Sequence, residues 1–154
     1  MLKREELKAI RTEFWTVFGR MMNPHHSSTG FKVRWTNYRT GVPDLYFRCH
    51  MEKNHAAISI DLQHNDPGMR ALFWEQFEEY KTYFHSIMET EYVWEERTYL
   101  PDGKEISRIS LTLSNVSLFN KATWPDAFEF LKANLLRLDE FWGDVHLTFK
   151  EFAK

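Results

Sequence analysis

The chain has 154 residues, which is the size of one domain, and its 43% hydrophobic and 27% charged composition is that of an ordinary soluble fold. A formal net charge of −2 argues against nucleic-acid or membrane binding driven by bulk charge. The single cysteine, Cys49, rules out an intrachain disulfide. The N-terminus, MLKREELKAIRTEFW, is too charged for a signal peptide, and no apolar run approaches the roughly 20 residues of a membrane-spanning helix, so a cytoplasmic protein with no membrane partner is expected. Aromatic residues are abundant, with 13 Phe, 6 Tyr and 6 Trp, so a substantial core is easily built.

The first helix is predicted over about Lys3–Met22. Leu7, Ile10, Phe14, Val17 and Met21 recur at three- and four-residue spacing and make one apolar stripe, and Asn23-Pro24 ends it. A polar loop, His25–Gly30, follows. Phe31–Tyr38 alternates, with Phe31, Val33 and Trp35 against Lys32, Arg34 and Thr36, and reads as a strand. Gly41–Asp66 reads as two further strands joined by a polar turn at Glu52–His55. One face carries Leu45, Phe47, Cys49, Ile58, Ile60 and Leu62; the other carries Asp44, Tyr46, Arg48, Ser59, Asp61 and Gln63. A hairpin centred on Lys53–Asn54 sets Asp44 opposite Gln63 and Tyr46 opposite Asp61.

Asp66 is a suitable N-cap, with Pro67 at the first position of a second helix whose stripe is Phe73, Phe77, Tyr80, Phe84 and Ile87. Strands Tyr92–Tyr99 and Glu105–Leu113 flank Leu100-Pro101-Asp102-Gly103, a strong turn signal, and pairing about it sets Glu96 near Arg108. A third helix starts near Thr123 and Pro125. Its stripe runs from Phe128 through Leu131, Leu135, Leu138, Trp142, Val145 and Phe149 to Phe152, about 40 Å as one helix, with Gly143 as a point of bending or splitting. The expected fold class is α+β: helix, three antiparallel strands, helix, two strands, helix, forming one largely antiparallel sheet covered by helices.

Four readings of function follow from this pattern. The favoured one is a non-catalytic interaction module whose polar sheet face, Arg34, Tyr46, Arg48, Ser59, Asp61, Gln63 and Arg108, meets nucleic acid or a protein partner without a cofactor. The second is a Mg²⁺- or Mn²⁺-dependent nuclease. The order helix, three antiparallel strands, helix, strand resembles the restriction-endonuclease-like core, which places Pro-Asp on one strand and acid-x-lysine on the next. Here Pro43-Asp44 precedes Asp61-Leu62-Gln63, so Asp44 and Asp61 would be the metal ligands and catalytic acids. Gln63 stands at the lysine position, where it can hold a water without supplying charge. The bland alternative pairs Asp61 with Arg48 or another arginine. The third reading is a homodimer seamed along the last helix, prompted by Phe130, Leu136 and Phe141 off the main stripe. The fourth, a histidine metal site, finds no zinc-like spacing among the seven histidines.

Several segments together are similar to a bacterial domain of unknown function, number 4268. They are Phe14-Trp15…Phe18-Gly19, then Gly30…Trp35…Asn37-Tyr38…Gly41, then Leu45-Tyr46-Phe47-Arg48. Arg70…Phe73-Trp74-Glu75-Gln76-Phe77, Ile106-Ser107-Arg108-Ile109 and Leu138-Asp139-Glu140-Phe141-Trp142 continue the likeness. The resemblance spans nearly the whole chain. It implies, through relatives that carry the domain behind a nuclease-type domain, an association with nucleic-acid processing or defence. It supplies no catalytic residues.

Overall fold

The structure, a computed structural model, describes residues 2–154. The three-four spacing near the N-terminus forms α1 (Arg4–Met22), with Phe14, Phe18 and Met22 buried. The hairpin forms as β1 (Leu45–Met51) and β2 (His55–Leu62). Next come α2 (Pro67–Glu79), α3 (Lys81–Met88), β3 (Val93–Tyr99), β4 (Glu105–Ser114) and α4 (Trp124–Phe152). The four strands make one antiparallel sheet in the order β1-β2-β4-β3, so the fold is α+β. No helix among the described residues is long and apolar enough to cross a membrane.

The helices lie against the sheet face that carries Phe47, Ile60, Ile109 and Trp94. Trp142 of α4 meets Phe47 edge-on at 5.4 Å between ring centroids, and Trp94 is met by Trp74 of α2 and Phe84 of α3. Among the described residues the opposite face carries no helix.

The strand expected over Phe31–Tyr38 does not form. Its place is taken by loop and a short 3₁₀ turn, Trp35–Asn37. That turn puts Trp35 and Tyr38, three residues apart, on one side, where both are buried, and leaves Phe31 65% exposed. The Trp35 indole donates to the carbonyl of His25 at 3.2 Å and the Tyr38 hydroxyl donates to Asp139 at 2.5 Å. Side-chain anchoring thus replaces a strand ladder, and two strands rather than three precede α2. The element order on which the restriction-endonuclease-like comparison rested loses its first strand.

The second predicted helix divides at Tyr80, whose backbone (φ −88°, ψ 4°) leaves the helical range. Its hydroxyl is 2.9 Å from that of Thr148 on α4, which fixes the corner. Conversely, α4 is continuous over 29 residues, and Gly143 does not split it. A Cβ at Gly143 would lie 2.5 Å from Ser28 Oγ, so the glycine admits the Ser27–Thr29 loop against the helix. The residues off the main stripe of α4 are also spent inside the fold. Phe141 is fully buried among Phe77, Tyr80 and Phe84, while Phe130 and Leu136 pack half-buried on the core. The stripe that suggested a dimer seam faces the protein's own interior.

Candidate interaction face

The hairpin register is the one expected, with Tyr46 opposite Asp61 and Arg48 opposite Ser59. The next strand extends those rows, placing Arg108 opposite Asp61 and Ser110 opposite Ser59. Tyr46, Arg48, Ser59, Asp61 and Arg108 therefore share the face turned away from the helices, where Ser59 and Asp61 are buried and Tyr46, Arg48 and Arg108 are half-buried. At the β1 border the Arg48 guanidinium lies 4.3 Å above the Tyr46 ring.

Asp61 sits in the middle of the face and is only 1% exposed. Arg108 holds it with both arms: Nε donates to Oδ1 at 2.7 Å and Nη2 donates to Oδ2 at 2.8 Å. This bidentate geometry is the strong form of the arginine–carboxylate pair. The carboxylate in turn raises the Arg108 pKa further. Glu96, the expected partner of Arg108, lies elsewhere. A bulge between Glu95 and Thr98 shifts the β3–β4 register by one, so Glu95 is the residue opposite Arg108. The Ser107 hydroxyl caps the bulge by donating to the Glu96 carbonyl at 2.5 Å. His50 Nε2 lies 3.2 Å from the Ser59 hydroxyl, and burial lowers the His50 pKa.

Three predicted residues lie away from this group. Arg34 is on the loop before the 3₁₀ turn, exposed, and lines a cavity against α4. Gln63 lies just beyond β2, where its backbone N–H donates to the Asp44 carbonyl at 2.8 Å. Asp44 adopts a left-handed backbone (φ 65°), which breaks the strand alternation. It lines a different cavity, with His64, Asp66, Phe73 and Phe152.

Asp44 and Asp61 do not converge in a way that fits a divalent cation. Asp61 has both oxygens on Arg108, and Asp44 faces a cavity on the helix side. Among the described residues no three His, Cys, Asp or Glu side chains gather as metal ligands. Burial pushes the Cys49 thiol up to about 12, away from the thiolate form a metal ligand needs.

Lys32, Arg39 and Lys150, which join Arg34 around its cavity, are not distinguished by any motif. A composition signal does exist: no Asp or Glu occurs from Phe14 through Pro43, while Arg20, Lys32, Arg34 and Arg39 do.

A helix-backed antiparallel sheet whose far face carries a buried ion pair with a half-buried polar border at β1 is thus the architecture that holds these residues. The chain belongs to the DUF4268 family, a domain of unknown function, whose family model matches residues 10–146. No curated protein and no solved structure matches the chain.

Proposed function

We propose that the protein is a non-catalytic interaction module of the bacterial cytoplasm, associated with nucleic-acid processing, that meets its partner with the half-buried rim of the far sheet face and the cationic border beside β1. The observation that carries this reading is the Asp61–Arg108 pair. A metal at Asp61 would have to displace two charge-assisted hydrogen bonds at a site with almost no solvent access. Arg48 supports a binding role: it makes no ion pair among the described residues and rests on Tyr46 at the rim, where a phosphate and a stacked base can both be met.

The test is incubation of single- and double-stranded DNA and RNA with the protein and Mn²⁺, read on a gel. The expected result is intact nucleic acid, with Arg48→Ala weakening whatever binding accompanies it. Metal-dependent cleavage that disappears in a folded Asp61→Ala variant would overturn the proposal in favour of the nuclease.

A further inference from the structure

The loop from Thr29 to Gly41 crosses the C-terminal half of α4 and leaves a cavity of about 370 Å³ between them. That volume is in the range of small-ligand pockets, roughly 300–1,000 Å³. Its wall holds Lys32, Arg34, Arg39 and Lys150, together with Phe31 and His146, and contains no Asp or Glu. None of the four cations has an ion-pair partner among the described residues, so no carboxylate neutralises the cluster. The chain as a whole is slightly acidic, so a general excess of base does not explain the cluster. Like charges gathered around one concavity repel each other, and a bound anion relieves that cost.

The cavity is built rather than left over. Gly41 has φ +78°, and a Cβ there would approach Lys150 Cε to 3.2 Å. Its missing side chain lets Lys150 lie across the loop, with Nζ 5.6 Å from the centroid of the Phe31 ring. His146 Nδ1 donates to the carbonyls of Trp142 at 3.0 Å and Gly143 at 3.1 Å, which fixes the ring in the cavity wall. The loop itself is pinned from below. Asp139 accepts from Ser27 Oγ and Ser28 N, both at 2.6 Å, as well as from Tyr38. The Trp142 indole donates to the Thr40 carbonyl at 3.2 Å. A pre-ordered anion site spends little of its binding energy on ordering its own loop.

We propose that this cavity binds a nucleotide unit, with the phosphate on Arg34, Arg39 and Lys150 and the base against the exposed Phe31 ring. Guanidinium forks match phosphate oxygens, and an aromatic face accepts any base. A free nucleotide and a nucleotide within a single strand both present that chemistry. A duplex does not, because its bases are already stacked. The inference deepens the interaction-module reading and rests on it for the strand as the source.

The test is an anisotropy titration of short labelled single-stranded DNA and RNA, with adenosine monophosphate and inorganic phosphate as competitors and circular dichroism to confirm folding. Arg34→Glu/Arg39→Glu is expected to weaken strand binding at least about tenfold and to flatten its salt dependence. Arg39→Ala serves as the milder variant should the double one misfold. Phe31→Ala is expected to weaken the strand and adenosine monophosphate several-fold while leaving phosphate competition unchanged. Lys53→Glu, on the hairpin turn, is expected to change nothing. Competition by adenosine monophosphate supports a nucleotide site that a free nucleotide can fill. Failure to compete, together with loss in the double variant, supports the strand as the source. Binding that survives the arginine variants but is lost in Arg48→Ala overturns the cavity and leaves the sheet-face reading standing. Failure of strand and nucleotide alike to bind overturns both. Binding of the nucleotide without the strand keeps the cavity and removes the nucleic-acid reading.

Discussion

Asp61 lies one residue from the end of β2, between Tyr46 on one side and Arg108 on the other, and its burial makes the ion pair consequential. Asp61→Ala leaves a partly buried guanidinium without its partner, which is expected to cost about 3 kcal/mol. Asp61→Ala/Arg108→Leu is expected to recover most of that loss, because the uncompensated charge goes as well. Urea unfolding of the three proteins checks both statements, and an Asp61→Ala variant as stable as wild type would contradict them. His64 gives the pH counterpart. It is buried against Phe73, its Nδ1 has no hydrogen-bond partner, and burial lowers its pKa despite the opposing charge of Asp44. The unfolded chain takes up a proton near 6.5 that the folded chain resists. Stability is therefore expected to fall as pH drops below 6.5 toward the folded-state value, with His50 contributing in the same sense. Thermal melts across that window should show a shallower decline for His64→Phe; an unchanged slope would contradict the assignment. The pairing of Tyr46 with Asp61 was legible because a two-fold alternation and a short turn fix the register of a hairpin. That Asp61 pairs with an arginine was legible, but the nearby Arg48 is not the partner; Arg108 is, because β2 and β4 are brought together by the whole fold.

At the scale of elements, local pattern and tertiary anchoring compete. Alternation over Phe31–Tyr38 reads as a strand, yet the segment is held by indole and phenol hydrogen bonds to His25 and Asp139, residues outside any local window. The bulge in β3 escaped turn-centred pairing for a similar reason, since nothing in the turn records the extra residue between Glu95 and Thr98. Gly143 shows the reverse case, a helix breaker by propensity that sits within an unbroken helix. Replacing it with alanine gains about 1 kcal/mol of helix propensity in isolation. Here the new Cβ would meet Ser28 Oγ, which donates to the Asp139 carbonyl at 2.6 Å. Gly143→Ala is therefore expected to destabilise the protein, and Ser28→Gly in the same chain to reverse the sign. Denaturation midpoints decide it, and a single Gly143→Ala variant more stable than wild type would contradict the account of the loop contact.

At the scale of the whole molecule, the described residues form four helices packed on one side of a four-stranded sheet, with no helix on the other. The α+β class and the two hairpins followed from periodicity and turn chemistry. The separation of charge did not, since a formal total of −2 conceals a cationic cavity formed where the Thr29–Gly41 loop meets α4, more than 100 residues later in the chain. Arg39 also lines the neighbouring cavity with Tyr46 and Arg48, so the basic region reaches the β1 border of the far sheet face.

The central claim, binding without catalysis, is tested most directly by one titration. Labelled single- and double-stranded DNA and RNA are followed by anisotropy from low to high salt, once with Mn²⁺ and once with chelator, and each endpoint is run on a gel. The account predicts binding that weakens linearly in log salt, is the same in both conditions and leaves the nucleic acid intact. Cleavage that requires Mn²⁺, or no binding to any of the four at low salt, would contradict it.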